Sequence, residues 1–553
     1  MRFFNTAGPI IPAKHYCLPP LSRFDLDEVL SLIGQWKYFV LHAPRQTGKT
    51  SCLLALMNYL NESGQYRALY ANVESGQSSR EDVRMAMQSI LSEIGQRARL
   101  SLQDPLPLSQ VSNVMDEAGP GGALNRLLTD WAESSPLPLV LMLDEIDALV
   151  GDTLISVLRQ IRSGYDRRPG AFPQSIILCG VRDVRDYRIH ASSEKDIITG
   201  GSAFNIRAES LRLGDFSHED MEQLYAQHSS ETGQVFEPDA ISLAWDLSEG
   251  QPWLVNALAY ETCFRMKEGR DRSRPITAAS MEQAKENLIL RRETHLDQLA
   301  DKLKEDRVRR VIEPLITGET LETDQLADDI QYVTDLGLIR RDRNGLRISN
   351  AIYREVIPRQ LTVDFQLAME NILQDFWFIQ PDGRLDMFKL LSEFQKFFQE
   401  NSEHWIRRFD YQEAWPHLLL QAYLQRIVNG GGQIIREYGL GLKRVDLLVV
   451  WHPRPASGQE RAPVPIASQV SAITQPVRPD LPQRFVLELK VIQSSLDTTI
   501  AKGLRQTAEY MDRCAASEGH LILFDRDPQK TWEQKIFRRE ASEGNNAITV
   551  WGM

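Results

Sequence analysis

A chain of 553 residues is too long for one hydrophobic core and predicts three or four domains. Its 42% hydrophobic and 25% charged content is that of an ordinary soluble globular protein; no apolar run approaches a membrane span, and Met1-Arg2-Phe3-Phe4-Asn5 opens no secretory signal. A formal net charge of −12 excludes steering of the whole surface to nucleic acid, so any such contact must come from local basic patches. The five cysteines, at 17, 52, 179, 263 and 514, have no close pairing, which argues for a reducing cytoplasm and against a zinc knuckle or disulfide frame.

Asn5 to Pro20 form a Pro-rich, extended lead-in. It could cap a nucleotide base, with Tyr16 as a candidate stacking partner, or be a surface loop tucked against a sheet. Lys37-Tyr38-Phe39-Val40 then reads as a buried strand and Ser51-Cys52-Leu53-Leu54-Ala55-Leu56-Met57 as a helix. Between them lies Leu41-His42-Ala43-Pro44-Arg45-Gln46-Thr47-Gly48-Lys49-Thr50. A strand, a loop closed by Gly-Lys-Thr and a helix are the context of a phosphate loop. Ala43 through Ser51 are the candidate nucleotide-binding residues: Ala43, Pro44, Arg45, Gln46, Thr47, Gly48, Lys49, Thr50 and Ser51. Backbone N–H groups from Arg45 to Lys49 would wrap phosphates at a helix N-terminus. Lys49 would supply a point charge, and the Thr50 hydroxyl would ligate Mg²⁺. Ala43 stands where the pattern usually has its first Gly.

Arg67 to Val73 reads as a second strand and residues 80 to 100 as a helix, and a polar, Pro- and Gly-containing stretch then runs to about 122. Leu137 to Glu145 reads as a central parallel strand, an apolar run bounded by carboxylates. Its end would bring Asp144 to the metal and Glu145 to the attacking water. A further strand, Ser175 to Val181, ends in Arg182. A strand between two catalytic strands would deliver Arg182 to the terminal phosphate as a sensor, with Arg185 behind it; the alternative is an ion-pair cluster with the adjacent aspartates. From about 211 the periodicity is helical, and Ser217 to Cys263 carries Gly250-Gln251-Pro252. Between about 305 and 360, a helix, turn and helix precede two strand-like runs joined at Asn344-Gly345, a hairpin signal. That order predicts a winged helix, in which Arg340, Arg341, Arg343 and Arg347 could meet phosphates unless the unit packs on its own ATPase.

Ala43 to Thr50, Leu143-Asp144-Glu145, the strand ending in Arg182, Gly250-Gln251-Pro252 and the trailing winged helix together resemble the AAA-like and STAND-related P-loop ATPases of prokaryotes. The resemblance covers about residues 5 to 362. It implies an ASCE-type core over 1–210, a helical lid over 211–304 and a winged helix over 305–362. It further implies a parallel sheet with the catalytic strand between the phosphate-loop strand and its neighbour, and a lid whose angle follows ATP state. The Gly-Gln-Pro turn looks like the group's lid motif that faces the nucleotide.

The last third carries separate chemistry. A helix opens at Glu413-Ala414-Trp415-Pro416-His417 and ends at Gly430-Gly431-Gly432; strands follow at Gln433 to Tyr438, Arg444 to Val450 and Arg484 to Val491. Alternation puts Glu488 and Lys490 on one strand face and Leu489 on the other. Asp446 and Glu488, from adjacent strands, could share Mg²⁺ or Mn²⁺, with Glu413 as an extra ligand and Lys490 stabilising the developing charge. Gln506 and Tyr510 are four apart, on one helical face, and His520 to Asp525 reads as a later strand. This order resembles the PD-(D/E)xK nuclease superfamily, and the Gln-x-x-x-Tyr helix its RecB-type branch, where that helix borders the active site and helps place DNA. The insert over 452–483 is rich in Pro, Ala, Ser and Gln and reads as a mobile loop.

The expected fold is therefore α/β multidomain: an ASCE P-loop parallel sheet, a helical lid, a winged helix, then an α/β restriction-endonuclease-like domain over 363–553. The expected function is an ATP-controlled, metal-dependent DNA nuclease, in a cytoplasmic protein that could form homo-oligomers, serving defence against foreign DNA or DNA processing. RNA is an alternative substrate, since the metal chemistry does not distinguish the sugars. A different class is a nucleotide-dependent switch or scaffold whose nuclease fold only binds nucleic acid or a partner.

Overall fold

The computed structural model describes residues 1–79, 82–182, 188–190, 197–199, 207–291, 294–317, 326–343, 345–361, 378–406, 420, 423–424, 432–440, 443–451, 453, 482–492, 495–525, 527 and 530–553. Two compact units are distinguished: Met1–Leu315 with Thr320–Arg354, and Ile316–Glu319 with Glu355–Met553.

The first unit is built on a five-stranded parallel sheet. In chain order its elements begin α1 (Leu26–Gly34), β1 (Tyr38–His42), α2 (Lys49–Glu62), β2 (Arg67–Asn72), α3 (Val83–Leu102), α4 (Leu106–Glu117) and α5 (Ala123–Ser134). They continue with β3 (Leu139–Asp144), α6 (Gly151–Ser163), β4 (Ser175–Gly180) and β5 (Arg207–Arg212). The strand order is β2-β3-β4-β1-β5. All six residues of β3 and of β4 are buried, which is why their sequences are apolar on both faces. Alternate residues serve opposite layers. Val40, Leu69, Leu141 and Leu178 pack under α3 to α6, while Leu41, Tyr70, Met142 and Cys179 pack on α1 and α2. Each fully buried Leu or Ile contributes roughly 1.5–3 kcal/mol of transfer free energy.

One expectation needs correction here. The catalytic strand β3 is not beside the phosphate-loop strand: β4 lies between β1 and β3, as the strand ending in Arg182 was expected to lie. The Pro- and Gly-containing stretch up to 122 contains α4, packed through buried Val111, Val114 and Met115. Pro105 and Pro107 fall at its cap and first turn, where a missing N–H is tolerated. The sheet also extends to β5, which pairs from Tyr38↔Arg207 to His42↔Arg212. As an edge strand of sequence Arg-Ala-Glu-Ser-Leu-Arg, it offers little apolar signal.

Beyond the sheet come α7 (His218–Thr232), α8 (Pro238–Ser248), α9 (Pro252–Tyr260), α10 (Ala278–Leu290), α11 (Thr294–Lys302), α12 (Asp306–Thr317) and α13 (Ala327–Asp335). A hairpin of β6 (Ile339–Asp342) and β7 (Gly345–Ile348) follows, in register Ile339↔Ile348, and then α14 (Ala351–Leu361). The lead-in does not run loose. Phe3–Phe4 pairs in parallel with His15–Tyr16, and Trp253 Nε1 on α9 donates to Thr6 O at 2.9 Å.

The second unit has α15 (Met387–Ile406), β8 (Gly432–Leu440), β9 (Lys443–Trp451), β10 (Gln483–Val491), α16 (Leu496–Cys514), β11 (Glu518–Phe524), β12 (Phe537–Glu543) and β13 (Asn546–Gly552). Its six-stranded mixed sheet runs β8-β9-β10-β11-β13-β12, parallel from β10 through β11 to β13 and antiparallel elsewhere. Leu390, Leu391 and Phe394 of α15 cover one face against Phe485, Leu487 and Leu489. Ala508, Tyr510 and Met511 of α16 cover the other against Val486, Leu521 and Leu523. The β12–β13 hairpin adds two strands beyond the last one expected. Among the described residues, no helix is long and apolar enough to cross a membrane.

Candidate functional site

The loop between β1 and α2 turns at Gln46 (φ +58°) and Gly48 (φ +96°). Left-handed backbone at position 48 favours glycine. Ala43, by contrast, is wholly buried in the layer under α2, so its methyl packs where a first glycine would leave a gap. Lys49 is 5% exposed, and its Nζ donates to Ala43 O at 2.9 Å and Pro44 O at 3.0 Å.

Thr50 Oγ1 donates to Asp144 Oδ2 at 2.7 Å, and Tyr70 OH donates to the same oxygen at 3.1 Å. Glu145 follows in left-handed backbone, φ +57°, a conformation uncommon for a residue with a Cβ and typical of positions held for function. Burial, and then the nearby Asp147, push the Glu145 carboxyl up from its ordinary value. A polar cavity of about 520 Å³ opens here, lined by Lys49, Thr50 and Glu145 together with Tyr70, Asn72 and Arg97. The last three were not anticipated as site residues. Tyr70 and Asn72 are legible as the end of β2, but nothing local says that this end faces the phosphate loop.

On the other side of the loop is an apolar cavity of about 130 Å³. Its walls come from the lead-in (Ile10, Leu18), the loop (Thr47, Gly48), Phe216 and the start of α9 (Pro252, Trp253). Tyr16 lines it too, but the ring is fully buried and its OH meets His228 Nδ1 at 3.3 Å, so it is a wall rather than a free stacking surface. Gln251 caps α9 by accepting from Leu254 N–H at 2.6 Å, and Pro252 occupies the first helical turn. The Gly-Gln-Pro turn thus delivers Pro252 to the cavity.

Arg182 is placed elsewhere. It does not line the polar cavity; it is 9% exposed, pairs with Asp335 at 3.5 Å and lies over the Tyr332 ring at 4.7 Å. Arg307 covers the same ring at 3.7 Å. One partner of Arg182 is therefore a buried carboxylate at the end of α13. Arg185 lies outside the described residues. Of the hairpin arginines, Arg347 forks onto Glu249 at 2.6 and 2.8 Å, and Arg340 also pairs with Glu249. Only Arg341 and Arg343 of the four remain exposed, so the hairpin's expected phosphate contacts shrink to two.

In the second unit, Glu488 is 2% exposed and accepts from Lys490 Nζ at 2.5 Å, so the two do share a strand face. Tyr510 is buried in the layer of α16 on that side, and Gln506 Oε1, one turn earlier, is buried without a hydrogen-bond partner. The β9–β10 register runs from Leu447↔Leu487 to Trp451↔Gln483, so Asp446 falls one residue beyond its last pair. Asp446 lies in β9, but its side chain is outside the described residues, as are Glu413 and most of the insert. Among the described residues no three His, Cys, Asp or Glu side chains cluster for a metal.

Residues 36–187 match the model of the AAA domain family. No curated protein matches the sequence. Among solved structures, a Walker-type ATPase of Pyrococcus abyssi is 15% identical, with a TM-score of 0.45 over 64% of this chain and 99% of that one. The ORC2 protein of Aeropyrum pernix is 16% identical, TM-score 0.35, over 62% and 91%. Cdc6p of Pyrobaculum aerophilum is 17% identical, TM-score 0.34, over 61% and 93%. With the domain match and the loop geometry together, residues 36–187 are an AAA-type P-loop ATPase domain.

Proposed function

We propose that this protein is an ATPase whose nucleotide state controls a metal-dependent DNA nuclease. In the first unit, the 43–51 loop holds the triphosphate and the apolar cavity takes the base. Lys49 leaves its two loop carbonyls for the outer phosphates. Thr50 and Asp144 would hold Mg²⁺, which would supply positive charge to those phosphates, and Glu145 would orient and deprotonate the attacking water. The Thr50–Asp144 contact fits that ion, because it brings two oxygen groups of the right kind to one point.

The observation that carries the nuclease half is the buried Glu488 held by Lys490 on the α16 side of β10. A buried carboxylate kept beside an ammonium is suited to divalent-metal work on a phosphodiester. A bound Mg²⁺ or Mn²⁺ would acidify water and neutralise the scissile phosphate. Asp446 and Glu488 would hold that ion, Lys490 would stabilise developing negative charge, and Gln506 and Tyr510 would help place the strand. The unpartnered Gln506 Oε1 supports an incoming polar group there.

The test incubates the full chain with linear and single-stranded DNA, and with RNA, in Mg²⁺ or Mn²⁺ across a range of ATP concentrations. Cleavage by wild type, lost in Lys490→Ala, is the expected result. Equal inertness of both on every substrate would instead assign the protein to the switch or scaffold class.

A further inference from the structure

The polar groups around the apolar cavity are almost all committed within the protein. Asn5 Nδ2 donates to Gly8 O at 2.9 Å, Thr47 Oγ1 to Pro44 O at 2.8 Å and Trp253 Nε1 to Thr6 O at 2.9 Å. Arg23, half-buried at the base of the loop, donates to Thr47 O at 3.2 Å and Gly214 O at 2.6 Å. Asn256, one turn into α9, breaks the pattern. It lines the cavity and is 7% exposed. Its Nδ2 donates to Pro252 O at 2.8 Å, which fixes which end of the amide is which. Its Oδ1 is buried and has no partner; among the described residues lining this cavity, no other buried side-chain N or O is left so. Buried acceptors are nearly always satisfied, and one that is not marks a place where a donor is expected.

We propose that Asn256 Oδ1 accepts a hydrogen bond from the exocyclic amine of adenine and thereby selects 6-amino over 6-oxo purine nucleotides. This rests on the reading that the base occupies the apolar cavity. A carbonyl at position 6, as in guanine or hypoxanthine, sets oxygen against oxygen and leaves both unsatisfied. The surrounding wall is apolar, with Ile10, Leu18, Phe216 and Trp253, so it holds a flat ring without choosing among bases. The buried acceptor left unmatched among these walls is Asn256 Oδ1. Ribose hydroxyls also donate, but ATP and ITP share them, so a ribose contact would not discriminate.

Binding of ATP and ITP, which differ at position 6, is measured by calorimetry on the full chain with Mg²⁺. Wild type should favour ATP about tenfold, or about 1.4 kcal/mol. Asn256→Leu should weaken ATP about tenfold, leave ITP nearly unchanged and bring the ratio close to one. Asn256→Asp, which keeps an acceptor, should keep the preference. Equal wild-type affinities overturn the inference with no variant needed, and they leave the phosphate-loop reading standing. Equal weakening of both nucleotides by Asn256→Leu, with the ratio intact, reduces Asn256 to a structural residue and also overturns it. A wild-type chain that binds neither nucleotide overturns the ATP reading itself.

Discussion

Thr50 Oγ1 and Asp144 Oδ2 meet at 2.7 Å although their strands are not neighbours: β4 stands between the strand that feeds Thr50's loop and the strand that ends in Asp144. The parallel sheet ends all these strands on one edge, so residues 94 apart in sequence share one hydrogen bond. The shared metal assigned to this pair depends on that edge. Asp144→Asn should cut ATP hydrolysis at least about a hundredfold while Tm stays close to wild type. Lys49→Ala should abolish hydrolysis with the fold intact. Unchanged turnover in either variant, in a steady-state phosphate-release assay, would remove that residue from its role.

Glu145→Gln is expected to separate binding from chemistry. The amide is nearly isosteric, so nucleotide affinity should stay within about threefold, while turnover falls roughly 10²–10⁴-fold through loss of the base. Single-turnover hydrolysis beside equilibrium binding tests this. A parallel loss of both would mean that Glu145 holds the loop rather than the water.

Gly337 carries a contact between the end of α13 and the phosphate loop. A Cβ there would lie 2.7 Å from Pro44 Cγ, and the backbone has φ +76°. Gly337→Ala should therefore destabilise the first unit by about 1–3 kcal/mol, through strain and the clash together. Because Pro44 belongs to the loop, ATP affinity should fall as well. Thermal unfolding with and without nucleotide reads both effects.

The Arg182–Asp335 pair is nearly buried, so removing one partner takes an opposite charge from the other. Asp335→Ala should cost about 3 kcal/mol, and adding Arg182→Leu should recover part of it. Simple additivity in that double-mutant cycle would show that the two are not coupled.

Two histidines make stability fall in acid. Burial drives His295 down to about 3 and His520 down to about 4, from an ordinary 6.5. Both pKa values are depressed in the folded chain, so the unfolded chain binds more protons between the two values. Stability is complete above about pH 6.5 and is lost as pH falls toward the folded pKa, by up to about 1.4 kcal/mol per pH unit for each histidine. His295 lies in the first unit and His520 in the second, so urea midpoints of both should drop between pH 7.5 and pH 5.5. Equal midpoints at the two pH values would contradict neutral burial.

Local pattern was enough for the loop from Ala43 to Ser51, for Asp144-Glu145 at the end of an apolar run, and for Glu488 and Lys490 on one strand face. In each, chemistry-bearing residues sit within a few positions of a strong periodic signal. Local pattern failed where the signal was weak or misleading. The edge strand β5 is polar, and the prolines before α4 resemble breakers although they start a helix. Arg182 illustrates a different limit. Its position after a strand was legible, but its partner Asp335 lies 153 residues away in the chain, and nothing near Arg182 could indicate that a buried carboxylate would claim it.

By itself, then, the sequence determined the strongly patterned strands and helices and which of them carry a phosphate-binding turn, because backbone geometry and the periods of 3.6 and 2 act over a few residues. Only the tertiary structure decided that β4 separates β1 from β3, that Glu249 claims Arg340 and Arg347, and that Asn256 keeps an unmatched acceptor beside the loop. Those are outcomes of burial and charge pairing between distant segments, and they exist only once the sheet and its helices have closed around each other.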